Sequence, residues 1–175
     1  AMLGKKVLLI DADMRKPTQR RLWRVEKPTG LCDFLAKISK LELDKVKDLP
    51  LWIVCTGTIP PNPSELLSSE RMKHFVEESA KVYDYIIIDT PPINTVADAQ
   101  IVSTYVDGVV LVVKSGDTTQ DELNEAIDAV RRAGGNLCGT VLNDLNMKSV
   151  KYAYKYKYGG KYGYKYSYSE SYEAR

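Results

Sequence analysis

Three aspartates stand where short apolar runs end. Asp11 and Asp13 follow Val7-Leu8-Leu9-Ile10, and Asp89 follows Tyr85-Ile86-Ile87-Ile88. Such runs read as buried strands of a parallel sheet, whose ligands collect at the carboxyl ends of the strands. Carboxylates converging there beside a triphosphate make the hard-oxygen environment that suits Mg²⁺. On a continuing strand Asp11 and Asp13, two residues apart, would point to the same side. One would help hold the metal while the other accepts the proton of an incoming hydroxyl, as phosphoryl transfer requires. Any one of these aspartates alone serves as well to cap the helix after its strand; the two strand-end motifs together favour a site. Lys16, Arg20, Arg21 and Arg24 follow directly. They read as a solvated helix face, or as a recognition patch for a phosphate or an acidic segment.

The elements that position these groups alternate along the chain. Strands are predicted at Val7–Ile10, Leu51–Val54, Tyr85–Ile88, Val109–Val113 and Gly139–Leu142. Between them, helical periodicity runs from a Ser64 N-cap through Leu67, Met72, Phe75 and Val76 toward Val82 as one helix. Further helices are predicted over Ala97–Val106 and over Thr119–Ala133, the latter stopped by Gly134-Gly135. Less regular helical patterns cover Lys16–Arg24 and Gly30–Ile38. Strands each followed by a helix predict an α/β fold, a mostly parallel sheet flanked by helices.

Composition narrows the function classes. The chain has 175 residues, 44% hydrophobic and 27% charged, the size of one domain with a real core. Three cysteines without a C-x-x-C pair argue against a disulfide framework or a thiolate zinc site and suggest a reducing compartment. Cys32, Cys55 and Cys138 read as buried apolar residues. The single histidine, His74, argues against a histidine triad. No apolar run approaches the ~20 residues of a membrane span, and no signal peptide precedes the first strand. A formal charge of +2 gives no argument for specific nucleic acid. The tyrosines are lopsided: of 12, only Tyr83, Tyr85 and Tyr105 precede residue 150. The remainder alternate with lysine, glycine and serine after Lys151, without the aliphatic content of a core. The predicted division is a domain over 1–147 and a flexible tyrosine-rich tail over 148–175. Ala1–Gly4 reads as the last turn of a helix and its glycine stop.

Here the motifs carry a family resemblance. Leu9-Ile-Asp-Ala-Asp-Met-Arg-Lys-Pro17 resembles the second Walker-A-type motif of the bacterial tyrosine kinases, P-loop autokinases of capsule and exopolysaccharide export related to the plasmid-partition ATPases. Ile86-Ile-Ile-Asp-Thr-Pro-Pro92 resembles their Walker B, Pro60-Pro-Asn-Pro-Ser-Glu-Leu-Leu67 a further shared segment, and Asp107-Gly-Val-Val-Leu-Val-Val113 their next core strand. The tail resembles their C-terminal tyrosine cluster. The resemblance implies a P-loop NTPase-like fold with ATP and Mg²⁺ as cofactors. It makes Asp11 and Asp13 catalytic, Asp13 and Asp89 metal-linked, and places Arg15 and Lys16 near the phosphates or the acceptor. Asn143 falls where related ATPases contact adenine. Tyr152, Tyr154, Tyr156, Tyr158, Tyr162, Tyr164, Tyr166, Tyr168 and Tyr172 would receive the γ-phosphate in trans. Implied partners are a membrane-bound activator or chain-length regulator, a tyrosine phosphatase and further copies of the chain. The implied location is cytoplasmic, peripheral at the inner face of the cell membrane through a partner or an upstream segment.

One departure is as informative as the matches. No G-x-x-x-x-G-K-S/T occurs in these 175 residues, and that loop supplies the amides, lysine and hydroxyl that cradle nucleotide phosphates. In the family it precedes the segment beginning here at Ala1, on a central strand whose removal exposes its neighbours' edges. The expectation is the C-terminal part of a longer kinase, inactive alone. The alternatives are a partition or septum-positioning ATPase and a non-catalytic phosphoacceptor or binding fragment.

Overall fold

A computed structural model describes residues 1–145; the nine tail tyrosines and the 147/148 division lie outside the described residues. Three strands form the centre: β1 (Val7–Asp11), β3 (Leu51–Val54) and β4 (Tyr85–Asp89). β1 pairs in parallel with both others, Ile10 opposite Val54 on one side and Ile88 on the other. A two-residue strand, β2 (Asp44–Lys45), adds an antiparallel edge to β3. It is too short to leave an alternation in the sequence and was not anticipated. β5 (Val109–Lys114) and β6 (Leu137–Asn143) form a separate parallel pair. The mostly parallel α/β expectation thus holds, with the strands divided between two sheets of order β2-β3-β1-β4 and β5-β6.

Among the described residues six helices connect the strands: α1 (Gln19–Trp23), α2 (Leu31–Leu35), α3 (Pro63–Ser68), α4 (Glu70–Ala80), α5 (Asp98–Ser103) and α6 (Gln120–Arg132). α6 begins with a reciprocal cap. The Thr119 hydroxyl accepts from the Glu122 amide at 3.2 Å, and the Glu122 carboxylate accepts from the Thr119 amide at 2.8 Å. The helix expected from Ser64 to Val82 is two helices. Ser69 takes an extended ψ of 146°, donates its hydroxyl to Leu66 O at 2.7 Å and accepts from the Met72 amide. A serine that satisfies both flanking helix ends ends one helix and caps the next. The N-cap of α3 is Asn62 with Pro63 at the first helical position, not Ser64. Ser64 is thereby free to use its hydroxyl elsewhere.

The core lies between β1 and the helices, with Leu8, Ile10, Met14, Leu31, Leu67 and Met72 all fully buried. A smaller core holds α6 against β5 through Leu111, Ala126 and Val130. Burial on both strand faces holds for β1 and fails for the strands on either side of the division. Ile87 of β4 is 55% exposed, and Val110 and Val112 of β5 are 54% and 68% exposed. Cys32 and Cys55 are buried as expected, their thiols pushed up by burial to about 12 and about 11, whereas Cys138 is exposed on β6. β6 is an outer strand of the two-stranded sheet, which leaves that position uncovered.

Candidate active site

The register of β1 and β4 sets Asp11 directly beside Asp89 at the carboxyl ends of both strands. Asp11 is fully buried, Asp89 half-buried. A third residue, which nothing in the sequence pattern singled out, ties them together. The Gln19 amide donates to Asp11 Oδ2 at 3.0 Å, and its side-chain Nε2 donates to Asp89 Oδ2 at 2.6 Å. Trp23 orients that side chain by donating its indole N–H to Gln19 Oε1 at 3.0 Å. Gln19 lies at the start of α1, one turn ahead of Trp23. Only the folding of the loop back over β1 brings it to the carboxylates.

Burial pushes the Asp11 carboxyl above the usual aspartate range, and the neighbouring Asp89 charge adds to this, against the lowering effect of the Gln19 amide. Asp11 Oδ1 is buried and has no hydrogen-bond partner among the described residues. An orphaned, fully buried carboxylate oxygen beside a second carboxylate is a strained arrangement that a cation would relieve. Two carboxylates suit Mg²⁺, which keeps several waters and takes further oxygens from substrate phosphates. Among the described residues no group of three His, Cys, Asp or Glu side chains is gathered at one point. The donor set therefore fits Mg²⁺ held jointly with a phosphate, and does not form a closed protein cage.

A raised Asp11 value also carries a stability cost. The native state holds that proton more tightly than the unfolded chain, so stability falls as pH rises through the interval from the ordinary value of about 3.9 to the raised one. Above that interval the whole cost is present. Asp11→Asn keeps an oxygen for the Gln19 amide and removes the charge, so it should stabilise the protein at pH 7. The expected gain is about 0.5–2 kcal/mol, the usual size for a stabilising single substitution. Thermal denaturation of the two proteins at pH 7 and pH 3 checks this: the gain should shrink at the lower pH.

Asp13 is placed differently from expectation. β1 ends at Asp11, so the two aspartates do not share a continuing strand. Instead Asp13 Oδ1 accepts the amides of Arg15 at 3.1 Å and Lys16 at 2.9 Å, closing the loop on itself. Asp13 is half-buried and borders solvent. Arg15 turns its guanidinium away toward Asp98, at 2.8 Å from Nε to Oδ2, while Lys16 is exposed. Asn143, at the end of β6, is exposed and does not line the cleft described next.

That cleft separates the two sheets. It has a volume of about 950 Å³ and runs from Gln19 and Asp89 between Ile86–Ile88 of β4 and Val109–Val113 of β5. Among the described residues β4 and β5 are edge strands facing it, and they are not paired with each other. The carboxylate pair stands at one end of a slot walled by two unpaired strand edges.

Parallel strands with carboxylates at their carboxyl ends and flanking helices define a P-loop NTPase-like domain, and solved structures share it. The MinD cell division protein of Aquifex aeolicus superposes with a TM-score of 0.67 at 26% identity, over 87% of this chain and 61% of that one. The kinase domain of Escherichia coli tyrosine kinase ETK superposes with a TM-score of 0.81 at 32% identity, over 95% of this chain and 63% of that one. Among curated proteins, tyrosine-protein kinase YwqD of Bacillus subtilis is 43% identical over 157 residues, 88% of this chain and 66% of the relative. Tyrosine-protein kinase CpsD of Streptococcus pneumoniae is 36% identical over 155 residues, 87% of this chain and 68% of the relative. No family model matches. The chain belongs to the bacterial tyrosine-protein kinases. It spans about two thirds of the length of YwqD and CpsD. Among the described residues no helix is long and apolar enough to cross a membrane.

Proposed function

We propose that this chain is the catalytic-carboxylate part of a protein-tyrosine autokinase that moves the γ-phosphate of ATP to its own C-terminal tyrosines and thereby regulates capsular or exopolysaccharide export. The observation that carries the reading is the pair of buried Asp11 and half-buried Asp89, bridged by Gln19, at the mouth of the cleft. The phosphate-binding loop and its strand come from polypeptide outside residues 1–175 and fill the slot between β4 and β5. Without them the chain is inactive.

In this scheme Asp11 and Asp89 face the metal side, and Mg²⁺, when bound, neutralises charge developing on the transferred phosphoryl group. Gln19 holds the two carboxylates at a fixed separation. Asp13, at the solvent border, accepts the proton of the incoming tyrosine hydroxyl. Lys16 lies on the acceptor side and attracts the charge that forms there. Asp13 also remains a candidate metal-linked residue, and Asn143 a candidate adenine contact. The acceptors are the nine tyrosines from Tyr152 to Tyr172. Each phosphate adds about −1.5 to −2 charges, which turns a lysine-rich tail acidic and loosens an assembly of copies. A membrane-bound activator and a tyrosine phosphatase would complete the cycle.

The likeness to MinD favours one second reading, an ATPase whose phosphate goes to water. Incubating the full-length gene product with γ-labelled ATP separates the two. Label on tyrosines 152–172 supports the kinase; label released only as inorganic phosphate, with the tail unmodified, overturns it.

A further inference from the structure

Asp98 is fully buried, yet it is not part of the Asp11–Asp89 pair described above. It receives a forked contact from Arg15, Nε to Oδ2 at 2.8 Å and Nη2 to Oδ1 at 3.1 Å. The Ser64 hydroxyl donates to the same Oδ1 at 2.7 Å, and Arg15 Nη2 also reaches that hydroxyl at 3.4 Å. Burial by itself would raise the Asp98 carboxyl; the Arg15 and Ser64 bonds outweigh it and hold the group below the usual range. Asp98 is therefore a charged anchor, and what it anchors is two residues from Asp13. Arg15 is held to Asp13 by its amide and to Asp98 by its side chain.

We infer that Ser64 and Asp98 are positioning residues for the Asp13 loop: they clamp Arg15 and so fix where the Asp13 carboxylate stands. This rests on the kinase reading of Asp13. It also gives a use to the Pro60–Leu67 segment, which makes no hydrogen bond to Asp11 or Asp89. Asn62 and Pro63 start α3, which sets Ser64 in its first turn against the first residue of α5. Three chain segments, after β1, after β3 and after β4, thus meet on one guanidinium. A fork to a buried carboxylate fixes direction as well as distance, which a lysine at position 15 would not do.

The test compares the parent with Ser64→Ala and Ser64→Thr, changes mild enough to leave the fold intact, and with Asp98→Asn. Amide hydrogen exchange by NMR reads the loop without needing catalysis. In Ser64→Ala the Arg15 and Lys16 amides should exchange about tenfold faster, the equivalent of one charge-assisted hydrogen bond, with larger effects in Asp98→Asn. The amides of Val7–Ile10 should be unchanged in Ser64→Ala, and Ser64→Thr should restore the parent rates. In the full-length gene product Ser64→Ala should lower kcat for tyrosine phosphorylation while leaving KM for ATP in place. Unchanged exchange at Arg15 and Lys16, or equal acceleration through β1, overturns the inference. A parent that phosphorylates no tyrosine while the loop effect persists defeats the kinase reading and leaves the clamp standing.

Discussion

Asp89→Asn in the full-length gene product should lower tyrosine phosphorylation by about 10²–10³-fold, the range seen when one preorganised charge-stabilising group is lost from an active site. The substitution is chosen for what it preserves. Asparagine offers Gln19 Nε2 the oxygen that Asp89 Oδ2 now supplies at 2.6 Å, so the bridge to α1 survives. It also removes the like charge that helps to raise Asp11. The protein should therefore be at least as stable as the parent, and lost activity cannot be ascribed to unfolding. Asp13→Asn should have a loss of the same order for a different reason. The Arg15 and Lys16 amides keep an acceptor oxygen, but no carboxylate remains to take the tyrosine proton. Phosphotyrosine formed from γ-labelled ATP reads both. Activity retained in both variants would refute the assignment of the site.

The second large effect concerns the cleft. If a strand from the full-length polypeptide seats between β4 and β5, the exposed halves of Ile87, Val110 and Val112 become buried. At roughly 1 kcal/mol for each half-buried aliphatic side chain this adds about 3 kcal/mol, before any backbone pairing of the two free edges is considered. The full-length gene product should accordingly be more resistant to urea than residues 1–175, and the amides of Ile86–Ile88 and Val109–Val113 should be the ones that gain protection. A strand of five or six residues, matching the lengths of β4 and β5, spans ~17–20 Å and suffices. Equal midpoints with no added protection at these strands would show that the slot is not a strand site. It would then be open to a partner or to substrate.

The cleft also explains where reading residues in order succeeds and where it stops. Aliphatic runs ended by aspartate announce strands and their ligand edge, because alternation and burial are properties of neighbours in sequence. All five expected strands are present, Leu51–Val54 with its bounds unchanged and the others with bounds moved by a residue or two. Thr119 and Glu122 announce the start of α6 for the same local reason. The break at Ser69 was not legible, since the apolar period of Leu67, Met72, Phe75 and Val76 continues across it. There, one hydroxyl bonding at short range outweighed the pattern.

By itself the sequence determined the α/β class, the family motifs and the strand ends at which Asp11 and Asp89 stand. Only the tertiary structure decided how those groups are arranged. β1 stops at Asp11, so Asp13 turns into its own loop instead of joining the pair. Gln19 reaches both carboxylates because the chain returns to the end of β1 at the start of α1, bringing it to Asp89, 70 residues distant in sequence. Arg15, which its position in the motif would assign to the phosphates or the acceptor, spends its guanidinium on Asp98, 83 residues away. Spacing and periodicity record what neighbouring residues share with each other. Which side chain satisfies a buried charge is settled by whatever the packed chain brings within hydrogen-bonding reach, and at this site that partner comes from a different segment of the chain.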